Sequence, residues 1–185
     1  MRVFFGISVP TDIQNALLDA QKKLRGNWRS IRPDHLHMTL AFLPNVNERQ
    51  VDDLIRLGNA VGRAHMPFDV SLRGTGYFPG AGSPRVWFVK VEAEPLLALS
   101  SDLRAQLTVP FENQPFKPHI TLARKKGPAP RMEPILFSMG WTVRSFELIQ
   151  STLHKSGPEY QTLKKFRLLG VSAVSESQTL PGESL

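Results

Sequence analysis

A chain of 185 residues, 41% hydrophobic and 21% charged, is long enough to bury a core and too balanced for a disordered or collagen-like class. Its 23 Lys and Arg outnumber 16 Asp and Glu, and the resulting charge of +7 favours an anionic partner, nucleic acid first. With no cysteine, disulfide frameworks, thiolate nucleophiles, iron-sulfur clusters and cysteine-bearing zinc sites are excluded, so chemistry has to rest on His, carboxylate, hydroxyl or Lys.

Residues 3–9 form a β-branched and aromatic run closed by Pro10, which predicts a buried strand. Thr11 then opens a helix: Thr11-Asp12-Ile13-Gln14 matches a capping box, and Ile13, Ala16, Leu17, Ala20 and Leu24 recur at helical spacing up to Gly26. A strand is expected at 37–43. A second helix is capped by Asn47 with Gln50, and its apolar face is Val51, Leu54, Ile55 and Val61. Strands at 68–72 and 85–91 flank the turn-rich segment 74–82, which reads as a loop joining two strands. A third helix begins at Pro95, with Leu96, Leu99, Leu103 and Leu107 on one face and Pro110 beyond its end. Strands at 119–123, 141–153 and 160–169 follow, and the Ser-rich residues 172–185 read as a flexible tail behind a single domain of residues 1–171. Helices and strands in this irregular order predict an α+β fold of mainly antiparallel sheet. No apolar stretch approaches the roughly 20 residues of a membrane span, and Met1-Arg2-Val3-Phe4-Phe5 lacks a secretory h-region. A cytoplasmic protein is expected.

One short pattern occurs twice. His37-Met38-Thr39-Leu40 and His119-Ile120-Thr121-Leu122 are each H-x-T-x within an apolar strand. Positions i and i+2 of a strand share a face, so each motif presents an imidazole with a hydroxyl and turns its apolar residues the other way. Two such couples across a pseudo-twofold would line a cleft suited to displacement at phosphorus. One neutral imidazole would take a proton from the attacking oxygen while the other, protonated, donates to the departing one. The threonine hydroxyls would donate to non-bridging oxygens. A single copy reads as a satisfied structural histidine, and the repetition is what lifts the pair above that reading. A metal alternative would use His35, His37 and His119, but no H-E-x-x-H pattern or diagnostic carboxylate accompanies them, so no metal or cofactor is expected.

Read together with Arg2-Val3-Phe4-Phe5-Gly6-Ile7, Gly76-Tyr77-Phe78-Pro79, Pro84-Arg85-Val86-Trp87, Phe116-Lys117-Pro118 before the second motif, and Gly157-Pro158-Glu159-Tyr160, the chain resembles the two-histidine phosphoesterases. Within them it is similar to the RNA 2′,3′-cyclic phosphodiesterase, or LigT-like 2′-5′ RNA ligase, branch. The resemblance implies a bilobal fold with two pseudo-symmetric lobes around a cleft. It also implies metal-independent opening of a terminal RNA 2′,3′-cyclic phosphate to a 2′-phosphomonoester, together with reversible 2′-5′ RNA ligation. His37 would be the proton donor and His119 the base, with Thr39 and Thr121 on the phosphate oxygens. The implied partner is an RNA or oligonucleotide end, with no membrane, and a monomer is expected. Alternatives are a phosphodiesterase for small cyclic nucleotides or 2′-5′ linkages, and a non-catalytic RNA-end binder. Pro44-Asn45 and Pro158 depart from the family pattern at turns.

Four further residues are candidates for holding substrate. Arg124 is associated with phosphate by the resemblance, yet strict alternation from His119 puts 121, 123 and 125 on its face, so Arg124 reaches the cleft only if a bulge redirects the strand. Lys117 has matching parity, though Pro118 disturbs the register. Tyr160 and Phe42 could stack a terminal base, with core packing the competing reading for Phe42 because alternation puts it on the apolar face. The cluster Arg124, Lys125, Lys126 and Arg131 could follow an RNA backbone or be a solvated loop. His65 and His154 have no partner pattern and read as structural.

Overall fold

The computed structural model describes residues 1–171, so the expected tail lies outside the described residues. In chain order the elements are β1 (Arg2–Ser8), α1 (Thr11–Lys23), β2 (Trp28–Ser30), a 3-10 turn (Pro33–His35), β3 (His37–Leu43), α2 (Glu48–Ala64), β4 (Phe68–Phe78), β5 (Val86–Glu92), α3 (Glu94–Ala105), β6 (His119–Lys125), β7 (Gly140–Val143), β8 (Ser145–His154) and β9 (Gly157–Arg167). They make two sheets, ordered β3-β1-β8-β9 and β2-β6-β5-β4-β7, and every strand pairing among the described residues is antiparallel. The α+β expectation is met. No helix among the described residues is long and apolar enough to cross a membrane.

The helices close the two sheets together. α2 lies on β8 and β9, α3 packs on β3, and α1, although it follows β1 of the first sheet, touches β6 of the second. Beneath α2 the rings of Phe5, Phe146 and Phe166 meet at centroid distances of 5.0–6.1 Å, each burial contributing about 1.5–3 kcal/mol. Gly58 of α2 sits over Phe166, where an added Cβ would lie 2.4 Å from the ring, so this glycine sets how closely helix and sheet approach.

Three local expectations need correction. The Thr11 capping box does not form: α1 is preceded by Pro10 with no side-chain cap, and the Gln14 amide instead donates to Val9 O at 2.9 Å. The Asn47/Gln50 box on α2 is present in both directions. Half of the 74–82 segment is strand, because β4 runs through to Phe78 after a bulge between Leu72 and Thr75. The two glycines within β4 serve close packing, since a Cβ on Gly74 would meet Leu136 at 3.2 Å and one on Gly76 the Phe88 ring at 3.0 Å. The single strand expected at 141–153 is two, β7 in one sheet and β8 in the other, with the chain crossing between sheets at Arg144. β2 was not foreseen, being three residues long.

Candidate active site

The two motifs occupy equivalent strands, β3 at the edge of one sheet and β6 in the other, and these strands lie against each other without pairing. Each contains the same irregularity. Opposite β1 the register passes from Phe5–Ala41 to Gly6–Thr39, leaving Leu40 extra, and opposite β5 it passes from Trp87–Ala123 to Phe88–Thr121, leaving Leu122 extra. A bulge inverts the alternation beyond it. Leu40 and Ala41 are consequently both buried, as are Leu122 and Ala123, and the next residues, Phe42 and Arg124, turn out to the side of His37–Thr39 and His119–Thr121. The parity objection to Arg124 is thereby removed. The same bulge corrects Phe42, which strict alternation assigned to the core: it is half-buried, with the Arg2 guanidinium 5.1 Å over its ring.

A bulge also frees a carbonyl from the sheet, and each is met by a helix side chain. Leu40 O accepts from Ser100 Oγ at 2.8 Å and Arg104 Nε at 3.1 Å, both from α3. Leu122 O accepts from Gln21 Nε2 at 2.8 Å and Ile31 N at 2.8 Å, the glutamine coming from α1. Of the four buried polar side chains among the described residues, Gln21, Thr75, Ser100 and Ser151, two are these clamps. Burying a polar group without a partner is costly, so their placement ties both helices to the bulges.

The imidazoles are fixed in matching ways. His37 Nδ1 lies 2.6 Å from His35 O and His119 Nδ1 lies 2.6 Å from Lys117 O. A carbonyl only accepts, so Nδ1 carries the proton in both rings and Nε2 is left as the nitrogen with the lone pair. Lys117 thus contributes its carbonyl, while its side chain is exposed ahead of the strand. Thr39 Oγ1 is 3.0 Å from His37 Nε2 and donates to it, whereas Thr121 Oγ1 and His119 Nε2 have no hydrogen bond among the described residues.

Aromatic rings enclose both histidines. Phe4 stacks on His37 at 4.7 Å with Tyr160 edge-on at 5.5 Å, and Phe78 and Phe88 stand edge-on to His119 at 5.1 and 5.5 Å. Tyr160 is therefore a wall of the His37 pocket, and one face of its ring is already stacked on His35 at 4.4 Å. Burial lowers the proton affinity of His37 to a pKa of about 4, against a raising effect of its bond to His35 O, and the charges of His119, His35 and Arg124 lower it further. His119 is lowered too, by burial first and then Arg124, with its bond to Lys117 O opposing. Burial raises the Tyr160 phenol, and Arg124 and Arg2 oppose that rise. Arg124 thus lies close enough to His37, His119 and Tyr160 for its charge to bear on all three.

Among the described residues no three His, Asp or Glu side chains gather in a way that could hold a metal ion, and His35 is engaged through its ring with Tyr160. His65 bonds Asp102 at 2.6 Å and His154 bonds Glu159 at 2.9 Å.

With this geometry in place, a family model described as the 2′-5′ RNA ligase superfamily matches residues 9–155. The chain belongs to that superfamily. It is 44% identical to an RNA 2′,3′-cyclic phosphodiesterase of Thermus thermophilus, the match covering 99% of this chain and 98% of the relative. A crystal structure of a Thermus thermophilus protein superposes with a TM-score of 0.88 at 45% identity, over 92% of this chain and 99% of that one. Escherichia coli LigT complexed with NADP+ gives a TM-score of 0.79 at 28% identity, over 91% and 98%.

Several groups around the cleft of this superfamily member escaped the sequence reading. Phe4 and Phe88 are embedded in apolar runs and Phe78 in a glycine-rich one, so neither periodicity nor composition sets them apart. Arg2 is a lone cation at a strand start. The bulges had one signal: both motifs continue Thr-Leu-Ala, and strict alternation would have exposed the small Ala41 and Ala123 while burying Phe42 and Arg124.

Proposed function

We propose that this protein hydrolyses RNA or oligonucleotide 2′,3′-cyclic phosphate termini to 2′-phosphomonoesters, and joins RNA ends through a 2′-5′ linkage when the 5′-hydroxyl of a second strand takes the place of water. The observation that carries this reading is the pair of matching imidazoles, each with Nδ1–H held on a backbone carbonyl, on strands β3 and β6 that lie against each other, with Arg124 close enough for its charge to act on both rings. Water adds to phosphorus as one neutral imidazole takes its proton, the phosphorus–O3′ bond breaks, and the other imidazole, protonated, delivers its proton to O3′. Thr121 and Arg124 donate to the non-bridging oxygens as charge builds there, joined by Thr39 once its hydroxyl proton turns from His37 Nε2 to the phosphate. The close similarity to RNA 2′,3′-cyclic phosphodiesterases supports the choice of substrate. One chain supplies both motifs, so a monomer is sufficient for the reaction.

In the division of labour that the resemblance implies, His37 is the acid and His119 the base. A second reading exchanges them, and the low proton affinity of His37 favours it, since a ring with a pKa of about 4 is neutral in the free protein and ready to act as base. A bound phosphate monoanion raises both pKa values, so the pH profile of kcat in single-histidine variants decides between the two. The activity is tested with an oligonucleotide 2′,3′-cyclic phosphate in EDTA, with the product identified. A 2′-monoester is expected. A 3′-monoester refutes the choice of bond, and activity abolished by EDTA and restored by zinc refutes metal independence.

A further inference from the structure

Beside the second motif runs a groove of about 650 Å³, whose lining includes Phe78, Arg85, Arg124, Lys125 and Lys126. Its floor is a row of cross-strand neighbours, Phe78 of β4 opposite Val86 of β5, and Val86 opposite Arg124 of β6. The inner end is shared with the candidate active site, because Phe78 stands 5.1 Å from His119 and Arg124 is on the His119 side of its strand. No Asp or Glu lines the groove. None of its four cations forms an ion pair among the described residues, Lys125 spending one donor on the Ser83 hydroxyl. Arg131, which the sequence groups with this cluster, instead holds the adjoining loop, donating to Pro79 O at 3.0 Å and Gly82 O at 2.8 Å and lying over Tyr77.

We infer that this groove is the track for the single-stranded RNA upstream of the reacting terminus, an inference that rests on the cyclic-phosphate reading above. A chain whose last phosphate sits between the histidines has to leave the cleft, and the groove offers an exit in which successive phosphodiesters meet Arg124, then Arg85, Lys125 and Lys126. Phe78, stacked on Phe88 at 4.1 Å and bordering both spaces, is a fixed ring against which a base near the terminus rests. Cationic grooves with an aromatic platform bind single strands with little regard to sequence and with strong salt dependence. The groove therefore makes the protein selective for the length of the RNA and indifferent to the bases beyond its end.

The test compares a nucleoside 2′,3′-cyclic phosphate, which has no upstream phosphate, with a decanucleotide ending in the same group, at low salt. The R85Q/K126Q double variant is set against K164Q/K165Q, which removes the same charge from exposed positions of β9. The wild-type protein is expected to favour the decanucleotide by tenfold or more in kcat/KM, through KM. R85Q/K126Q loses most of that preference with the nucleoside rate unchanged, and K164Q/K165Q keeps it. For a decanucleotide ending in a 3′-hydroxyl, the slope of log affinity against log salt falls by about 1.4 in R85Q/K126Q, or about 0.7 per cation removed. Equal use of both substrates by wild type, a preference that survives R85Q/K126Q, or one lost equally in both variants overturns the proposal. If neither substrate is opened, the cyclic-phosphate reading fails, and the salt slope alone then decides the groove.

Discussion

Strands β3 and β6 carry His-x-Thr-Leu-Ala in one geometry: an Nδ1 on the carbonyl two residues back, a bulge at the leucine, and a helix side chain on the freed carbonyl. They part at the sixth residue, which is Phe42 in one and Arg124 in the other. The surroundings part as well, for His37 is stacked on Phe4 while His119 meets Phe78 and Phe88 in T-shaped contacts. A symmetric scaffold delivers two equivalent imidazoles, and asymmetric neighbours make them different. General acid–base chemistry uses that combination: between the two titration steps the pair shares one proton, and asymmetric neighbours decide which imidazole holds it.

The largest expected effect tests the symmetric part. His37→Ala and His119→Ala should each lower kcat by about 10²- to 10⁴-fold, with the double variant little worse than the poorer single one, because the two act on one displacement. Single-turnover rates on a cyclic-phosphate oligonucleotide measure this. A variant that keeps wild-type turnover removes its histidine from the chemistry.

The next effect breaks the symmetry. Arg124→Ala should cost about 10²- to 10³-fold, as loss of one charge-stabilising donor does, and Phe42→Ala less than tenfold. Arg124 lowers both His37 and His119, so its removal raises both pKa values and moves the whole pH profile towards higher pH. Equal losses from the two variants, or an unmoved profile, would show that the sixth position does not distinguish the halves.

The elements that periodicity reveals, the three helices and most strands, were legible in the sequence because apolar spacing is set locally. The misread places depend on contacts across the fold. Nothing in Val143-Arg144-Ser145 marks the passage from one sheet to the other, and Gly74 and Gly76 read as turn because the groups that need the space, Leu136 and the Phe88 ring, lie elsewhere along the chain. The motif histidines and threonines were legible as a repeat. The facing of Phe42 and Arg124 was not, since a bulge is a property of a strand pair and counting along one strand cannot see it.

A third, smaller effect concerns stability. The His37 pKa falls from 6.5 unfolded to about 4 folded, so as pH drops the unfolded chain takes the proton first. The fold therefore loses stability between about pH 6.5 and 4, and the histidine has no effect above that window. The loss approaches but does not exceed about 1.4 kcal/mol per pH unit for one group. Denaturant midpoints at pH 7 and pH 5 should differ less in His37→Gln than in wild type. An identical difference would place the titration elsewhere.

The smallest expected effect concerns the clamps, and it returns to the comparison. Ser100→Ala leaves Leu40 O with Arg104 and should cost about 1 kcal/mol, whereas Gln21→Ala leaves Leu122 O with Ile31 N but also takes the glutamine donor from Ile31 O and should cost about 2 kcal/mol, each readable as a shift in denaturant midpoint. Their effects on activity should differ as well. If each bulge serves to aim the sixth residue, loosening the one before Arg124 disturbs a phosphate donor, while loosening the one before Phe42 disturbs a ring. Gln21→Ala should then lower kcat/KM several-fold more than Ser100→Ala at matched stability. In an Arg124→Ala background that excess should vanish, because the residue being aimed is gone. An excess that persists without Arg124 would mean that Gln21 acts through the fold at large, and the bulge would lose its role in setting the direction of the arginine.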